Sequence, residues 1–288
     1  MLFGVLPPYR AGVAADPDWM VGFARSVEDC GFESLYVVEH VAVKEGYAAT
    51  YPYAESGRMP LPDDCPIPDP LDLLAFLAAH TRRIVLATGV LVLPEHQALP
   101  LAKRLATIDV LSGGRMRLGI GVGWMREELE SVGIDFVTRG ARTDELIQAL
   151  RLIWASEVAN FHGRHIRFDG MISRPQPVGL AGVPIHIGGH SPAAARRAGR
   201  LGDGFQPLGL DDETLTDRLR LLWETAVSEG RDPDAIELSL GGLLDTVDAE
   251  AIAKAEQFGA TRLVLSTRDG DLDVVRGQLE SFAQRFLP

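Results

Sequence analysis

Cysteine is nearly missing from these 288 residues, occurring only as Cys30 and Cys65. Two thiols without metal-ligand spacing exclude a disulfide framework and a cysteine-ligated metal; both are expected to be free, Cys30 near a helix end and Cys65 in a loop. Lysine is confined to Lys44, Lys103 and Lys254, so the 28 basic residues are almost all arginine, a bias that points to a GC-rich genome. Acidic residues outnumber basic ones 40 to 28, giving a net charge of −12. Phosphate backbones need clustered positive charge, so a nucleic-acid partner is not expected. No apolar run reaches the roughly 18 residues of a membrane span, and Met1–Leu6 lacks the charged start and long apolar stretch of a signal peptide; the expectation is a cytoplasmic protein with no membrane partner. The motifs HExxH, paired CxxC, the Walker lysine loop and GxSxG are also absent, which leaves metal hydrolysis, nucleotide hydrolysis and serine esterase chemistry without support.

What is present is alternation. Strand signals at Phe3–Leu6, Ser34–Glu39, Arg83–Leu93, Met116–Gly121, Pro184–Ile187, Gly204–Pro207, Glu237–Leu240 and Arg262–Ser266 are each followed by helical pattern. Helix starts are marked at Asp16-Pro17, Asp69-Pro70, Ser191-Pro192, Asp212, Asp248 and Leu272. The strands are apolar on both faces, as in a parallel sheet covered by helices. Eight such units predict an α/β chain folded as one (β/α)8 TIM barrel over residues 1–288. Two insertions are expected: a loop over 41–69 and a segment over 156–183 with a small hairpin at Phe161–Asp169. An open doubly wound sheet is the alternative fold, but Gly119-Ile120-Gly121-Val122-Gly123 lacks the spacing of a dinucleotide loop.

Pro184 to Pro192, with Gly188-Gly189-His190-Ser191 ahead of Ala193-Ala194-Ala195, has the pattern of an anion site. A short strand ends in two glycines, Ser191 caps a helix, and the free N–H groups and dipole there favour a phosphate. An ordinary βα turn would use the same residues for geometry alone. A barrel places its active site at the C-terminal ends of the strands. There His40 can exchange a proton near neutral pH, or serve as a hydrogen-bonded structural imidazole. Glu39 either orients His40 or, because adjacent strand residues face opposite ways, is bonded elsewhere. Gly89 inside the third strand marks a bulge or a place where a flat ligand meets the backbone. His96 is expected at the surface or behind the site. Trp124 either walls a ligand or packs under a loop. Glu127 and Glu128 suit a helix start, with capping and solubility as their ordinary role. The loop from Val41 to Ile67, with Tyr47, Tyr51 and Tyr53, is expected to be a lid over the pocket, although its tyrosines would also serve a dimer interface. Together these features suit a phosphorylated cofactor with a flat ring.

Taken in order, Glu39-His40, Gly89-Val90 through Leu93-Pro94, Ala106-Thr107-Ile108-Asp109-Val110-Leu111-Ser112-Gly113-Gly114-Arg115, Gly119-Ile120-Gly121-Val122-Gly123-Trp124, Ile187-Gly188-Gly189-His190-Ser191 and Gly202-Asp203-Gly204-Phe205 resemble the bacterial luciferase-like flavin and deazaflavin oxidoreductases over nearly the whole chain. The start of the long loop and the Gly121-Val122-Gly123-Trp124 turn look most like the actinobacterial subgroup that uses the deazaflavin coenzyme F-420. FMN shares the ribityl phosphate and tricyclic ring and is the alternative cofactor. The resemblance implies that Gly188, Gly189 and Ser191 bind the cofactor phosphate, with His190 and Gly121 also at the cofactor. It further implies that Gly89-Val90 forms a bulge against the ring, often a non-proline cis peptide, and that His40 stands at the reactive ring edge. Glu39, Tyr51, Tyr53 and Trp124 would line the substrate pocket. Some deazaflavin members carry a glutamate acid where this chain has Val122-Gly123-Trp124.

The function expected on this basis is hydride transfer between coenzyme F-420 and a small organic substrate, with His40 handling the proton. An FMN-dependent monooxygenase supplied by a separate reductase is the nearest rival, and a non-catalytic flavin-binding barrel is the third reading. Family analogy implies a homodimer.

Overall fold

Six helices begin on a capping side chain, at the start the sequence marks or, for Asp211 and Asp271, one residue before it. Asp16, Asp69, Ser191, Asp211, Asp248 and Asp271 each accept a hydrogen bond from a backbone N–H of the first turn. The caps satisfy donors that a helix start otherwise leaves orphaned. Proline follows at 17, 70 and 192, where no N–H is needed.

The computed structural model describes residues 1–287. In it the elements run β1 (Leu2–Leu6), α1 (Pro17–Asp29), β2 (Ser34–Val37), α2 (Pro70–His80), β3 (Val85–Thr88), β4 (Leu91–Val92), α3 (Ala98–Ser112), β5 (Met116–Gly121), α4 (Arg126–Ser131) and α5 (Arg139–Ala155). They continue with β6 (Ala159–His162), β7 (Arg167–Met171), β8 (Ile185–Gly188), α6 (Pro192–Leu201), β9 (Gly204–Gln206), α7 (Asp212–Ser228), β10 (Glu237–Leu243), α8 (Ala249–Gln257), β11 (Arg262–Ser266) and α9 (Leu272–Phe286). The parallel sheet runs β3-β2-β1-β11-β10-β9-β8-β5-β4, and the β3–β5 pairing closes it. Since β3 and β4 form one stave, this is the closed eight-stave (β/α)8 barrel. The antiparallel pair β6–β7 stands outside it, between α5 and β8.

Period-two alternation explains the two layers. Leu35, Val37, Leu118, Ile120, Ile185, Ile187, Leu263 and Leu265 are buried in one apolar cluster with helix residues such as Phe23, Leu74, Leu105, Leu150 and Leu279. The alternate positions on the same strands belong to the barrel interior, which at one end is ionic. Arg262, 1% exposed, bonds Glu33, Glu237 and Ser239, while Arg117 bonds Glu33 and Tyr36. These residues open their strands, so the network plugs the N-terminal mouth. Glycine takes over toward the C-terminal ends of β5 and β8, at Gly119, Gly121 and Gly188.

One strand departs from its sequence pattern. The run Arg83–Leu93 predicts a continuous strand, yet it divides into β3 and β4 around a cis peptide between Gly89 and Val90. Hydrogen bonding changes partners there: Gly89 N–H reaches the Val37 carbonyl, while the Val90 carbonyl accepts from Glu39 N–H. The Val90 side chain turns into the barrel. A Cβ on Gly188 would lie 2.6 Å from Val90 Cγ1, and one on Gly121 would lie 2.8 Å from Val90 Cγ2. Both glycines, expected to bring backbone toward a ligand, thus also make room for Val90.

Candidate active site

Residues 38–69 leave β2 without helix or strand and run across the C-terminal ends of the staves. His40 stands at the start of this segment. Its Nδ1 is 2.8 Å from Oε2 of Glu128 on α4, and the two side chains are 11% and 3% exposed. A carboxylate only accepts, so Nδ1 carries the proton and Nε2 is left to give or take one. Glu128 Oε1 also accepts from the N–H groups of Val41 at 2.7 Å and Ala42 at 3.2 Å, and Glu127 accepts from Ala48 N–H at 2.6 Å. The two glutamates, expected only to cap and solubilise a helix start, hold the loop after β2 by its backbone. Glu128 moreover orients His40.

Glu39 faces away from His40. Its carboxylate accepts Val92 N–H at 2.6 Å and meets His96 Nε2 at 2.9 Å, and it is 5% exposed. Its contacts therefore tie the loop after β2 to β4, and the pocket-lining role expected for it has no contact to support it. His96 stands behind the site as its partner. Between the two glutamate–histidine pairs lies Glu95, in the turn after β4, with both carboxyl oxygens buried and unpartnered among the described residues. Burial, with Glu128 and Glu39 adding repulsion, pushes its carboxyl up to about 9.

Across the barrel, β8 ends at Gly188 and Gly189 follows it. Gly189 has a φ of +113°, a conformation in which a side chain would be strained, and it turns the chain into α6. Ser191 caps that helix, its Oγ accepting Ala194 N–H at 3.1 Å. The N–H groups of His190, Ser191 and Ala193 find no acceptor among the described residues. Two further buried atoms here have no partner, Nδ1 of His190 and Oε1 of Gln206 at the end of β9. Burial, assisted by the Arg218 guanidinium, lowers the His190 imidazole below its ordinary range, and Arg218 Nε donates to the His190 carbonyl at 2.9 Å. Free N–H groups at a helix start suit an anionic ligand, whereas the Gln206 Oε1 acceptor suits a donor.

Edge-on aromatic contacts link the two ends of the site. Successive ring centroids are 5.9 Å apart for His40–Trp124, 5.1 Å for Trp124–Tyr51, 5.3 Å for Tyr51–Tyr53 and 5.1 Å for Tyr53–His190. Burial raises both phenols, Tyr53 to about 12, so the lid presents neutral hydroxyls. Tyr47 braces the lid from within, accepting Met59 N–H through its hydroxyl under the Arg58 guanidinium.

The structure thus brings His40, Trp124, Tyr51, Tyr53 and His190 into one arc that ends at Gly188, Gly189 and Ser191. The importance of Glu128, Glu95, Gln206 and Arg218 was not legible in the sequence. Glu128 carried one faint signal, a place at a helix start beside the end of a strand. Among the described residues no group of His, Cys, Asp and Glu is arranged to hold a metal ion, and no helix is long and apolar enough to cross a membrane.

Comparison with known proteins agrees with this architecture. An F-420-dependent glucose-6-phosphate dehydrogenase of Nocardia farcinica is 32% identical over 234 residues, 76% of this chain and 67% of that protein. Among solved structures, the monooxygenase RslO1 from Streptomyces bottropensis superposes with a TM-score of 0.79 at 22% identity, covering 100% of this chain and 99% of its own. An F-420-dependent secondary alcohol dehydrogenase in complex with an F-420–acetone adduct gives 0.77 at 17% identity, with coverage of 98% and 97%. At those identities the two structures establish the fold. The family model described as luciferase-like monooxygenase matches residues 1–284, and the chain belongs to that family of oxidoreductases.

Proposed function

We propose that the protein transfers a hydride between coenzyme F-420 and a small organic substrate, with His40 exchanging the accompanying proton. The observation that carries this reading is the His40–Glu128 pair, which leaves the imidazole Nε2 available under the lid. The 32% identity to an F-420-dependent dehydrogenase supports the choice of coenzyme. The residues present fit a phosphorylated tricyclic cofactor. The free N–H groups of His190, Ser191 and Ala193 at the start of α6 would hold its phosphate. Val90, seated on Gly121 and Gly188, would form the floor beneath the ring. When bound, the coenzyme supplies the hydride donor or acceptor.

The chain's own part is positioning and proton handling. Glu128 fixes the tautomer and direction of His40, the aromatic arc excludes water, and neutral Tyr51 and Tyr53 offer hydroxyls to a substrate. A second reading, an FMN-dependent monooxygenase served by a separate reductase, is supported by the match to a family model described as luciferase-like monooxygenase. Parallel titration of the purified protein with F-420 and FMN separates the two. Tighter binding of F-420, with substrate-dependent change in its absorbance, supports hydride transfer. Preference for FMN with oxygen uptake overturns it in favour of oxygenation, and binding of neither removes the phosphate seat.

A further inference from the structure

We propose that Glu95 is a proton-bearing positioning residue for His40: buried between Glu39 and Glu128 and denied every nearby donor, its carboxyl is uncharged at neutral pH, and its ionisation favours the protonated form of His40. The inference rests on His40 as the proton-exchanging group of the proposed reaction, and adds a second carboxyl that governs it.

The hydrogen-bond donors around the cluster are already assigned to other acceptors. Glu39 receives Val92 N–H and His96 Nε2, and Glu128 receives the N–H groups of Val41 and Ala42 with His40 Nδ1. Glu95 receives none, although both its oxygens are buried. The cations on the adjoining helix are already engaged. Arg142 gives Nε to the Pro94 carbonyl and Nη2 to that of His96, while Arg139 gives Nε to the Gly123 carbonyl and Nη1 to that of Phe136. A carboxylate with no donor and two carboxylates facing it takes up a proton. The charged groups bearing on Glu95 are Glu128 from α4 and Glu39 from the loop after β2, with His96 bonded to Glu39 and His40 to Glu128. While Glu95 is neutral, Glu128 is the carboxylate that bears on His40; an ionised Glu95 adds a second negative charge behind that pair.

Two measurements on the free protein test this without any coenzyme. Infrared spectra of wild type and Glu95→Gln should differ at neutral pH by one protonated-carboxyl carbonyl stretch, which bleaches in wild type as the pH rises through about 9. NMR of the His40 ring, assigned through His40→Gln, should show in wild type a second inflection in the same interval that Glu95→Gln abolishes. Absence of the carboxyl band in wild type overturns the uncharged Glu95. Identical His40 titrations in the two proteins overturn its hold on His40. Should Glu95→Gln not fold, the wild-type band and the wild-type His40 curve still decide, since both must change together. A failure of the coenzyme reading would show instead in the F-420 and FMN titrations and would leave both measurements standing.

Discussion

His40 and Glu128 lie 88 residues apart in sequence and meet at 2.8 Å, and the carboxylate that orients the imidazole also holds the lid by the N–H groups of Val41 and Ala42. The imidazole proposed to exchange the proton and the loop after β2 thus share one anchor on α4. Disturbing Glu128 should loosen both.

Replacing His40 with Ala should slow oxidation or reduction of bound coenzyme by about 10²–10⁴-fold, the usual contribution of a positioned acid or base. Glu128→Gln should fall between wild type and His40→Ala, because a carboxamide keeps an acceptor but loses the charge that favours the imidazolium. Single-turnover stopped-flow absorbance measures both. Wild-type rates in His40→Ala would remove that residue from the chemistry.

The helix caps allow stability and ligand binding to be separated. Ser191→Ala removes the bond to Ala194 N–H and Asp271→Ala removes those to Asp273 and Val274, each costing about 1 kcal/mol of stability. Only Ser191 borders the proposed phosphate seat, so only its substitution should weaken the coenzyme titration. Equal affinities in the two variants would mean that the hydroxyl caps the helix and does nothing for the ligand.

The barrel was legible because it is written in local signals. Caps such as Asp16, Asp69 and Ser191, and apolar runs such as Leu118 and Ile120 on β5, declare elements without reference to distant residues. The break in the third stave is not written in the apolar run itself; Gly89 marked a bulge there, and the family resemblance implied the Gly89–Val90 cis peptide that the structure has. Placing His40 and the Gly188-Gly189-Ser191 turn was possible because barrel topology assigns strand ends to one face. Glu39 and Glu128 were harder. Both are acidic residues near a strand end, and only the folded chain shows that one serves His96 and the other His40.

Val90 gives a packing test with an internal control. Gly121→Ala and Gly188→Ala should each destabilise by about 1–3 kcal/mol through overpacking against Val90. Adding Val90→Ala should relieve Gly121→Ala, whose added carbon meets Val90 alone, but relieve Gly188→Ala only in part, since the Ile120 carbonyl stays 2.9 Å away. Thermal melts of the double-mutant cycles report the coupling. Additive losses would show that Val90 does not occupy the space the glycines leave.

Acid should unfold the protein in two stages set by the plug at the N-terminal mouth. His186 is buried, and the Arg117 and Arg262 cations add to that burial in holding its imidazole at about 3, well below the ordinary value of about 6.5. A depressed histidine contributes stability above its unfolded value that is lost as pH falls, here from about 6.5 toward 3. For Glu33 burial works the other way, but hydrogen bonds and charge from Arg117 and Arg262 outweigh it and hold the carboxyl at about 2. Its contribution is complete above about 4.3 and disappears between there and about 2. His186→Leu should therefore flatten the upper stage at little cost near neutrality, because Nδ1 has no partner and Nε2 is 3.7 Å from Glu237. Glu33→Gln should flatten the lower stage but cost about 3–5 kcal/mol at neutral pH, since it strips Arg262 and Arg117 of a shared partner. Melting temperatures of the three proteins across this range separate the stages, and an unchanged upper slope in His186→Leu would mean that another group governs the first loss.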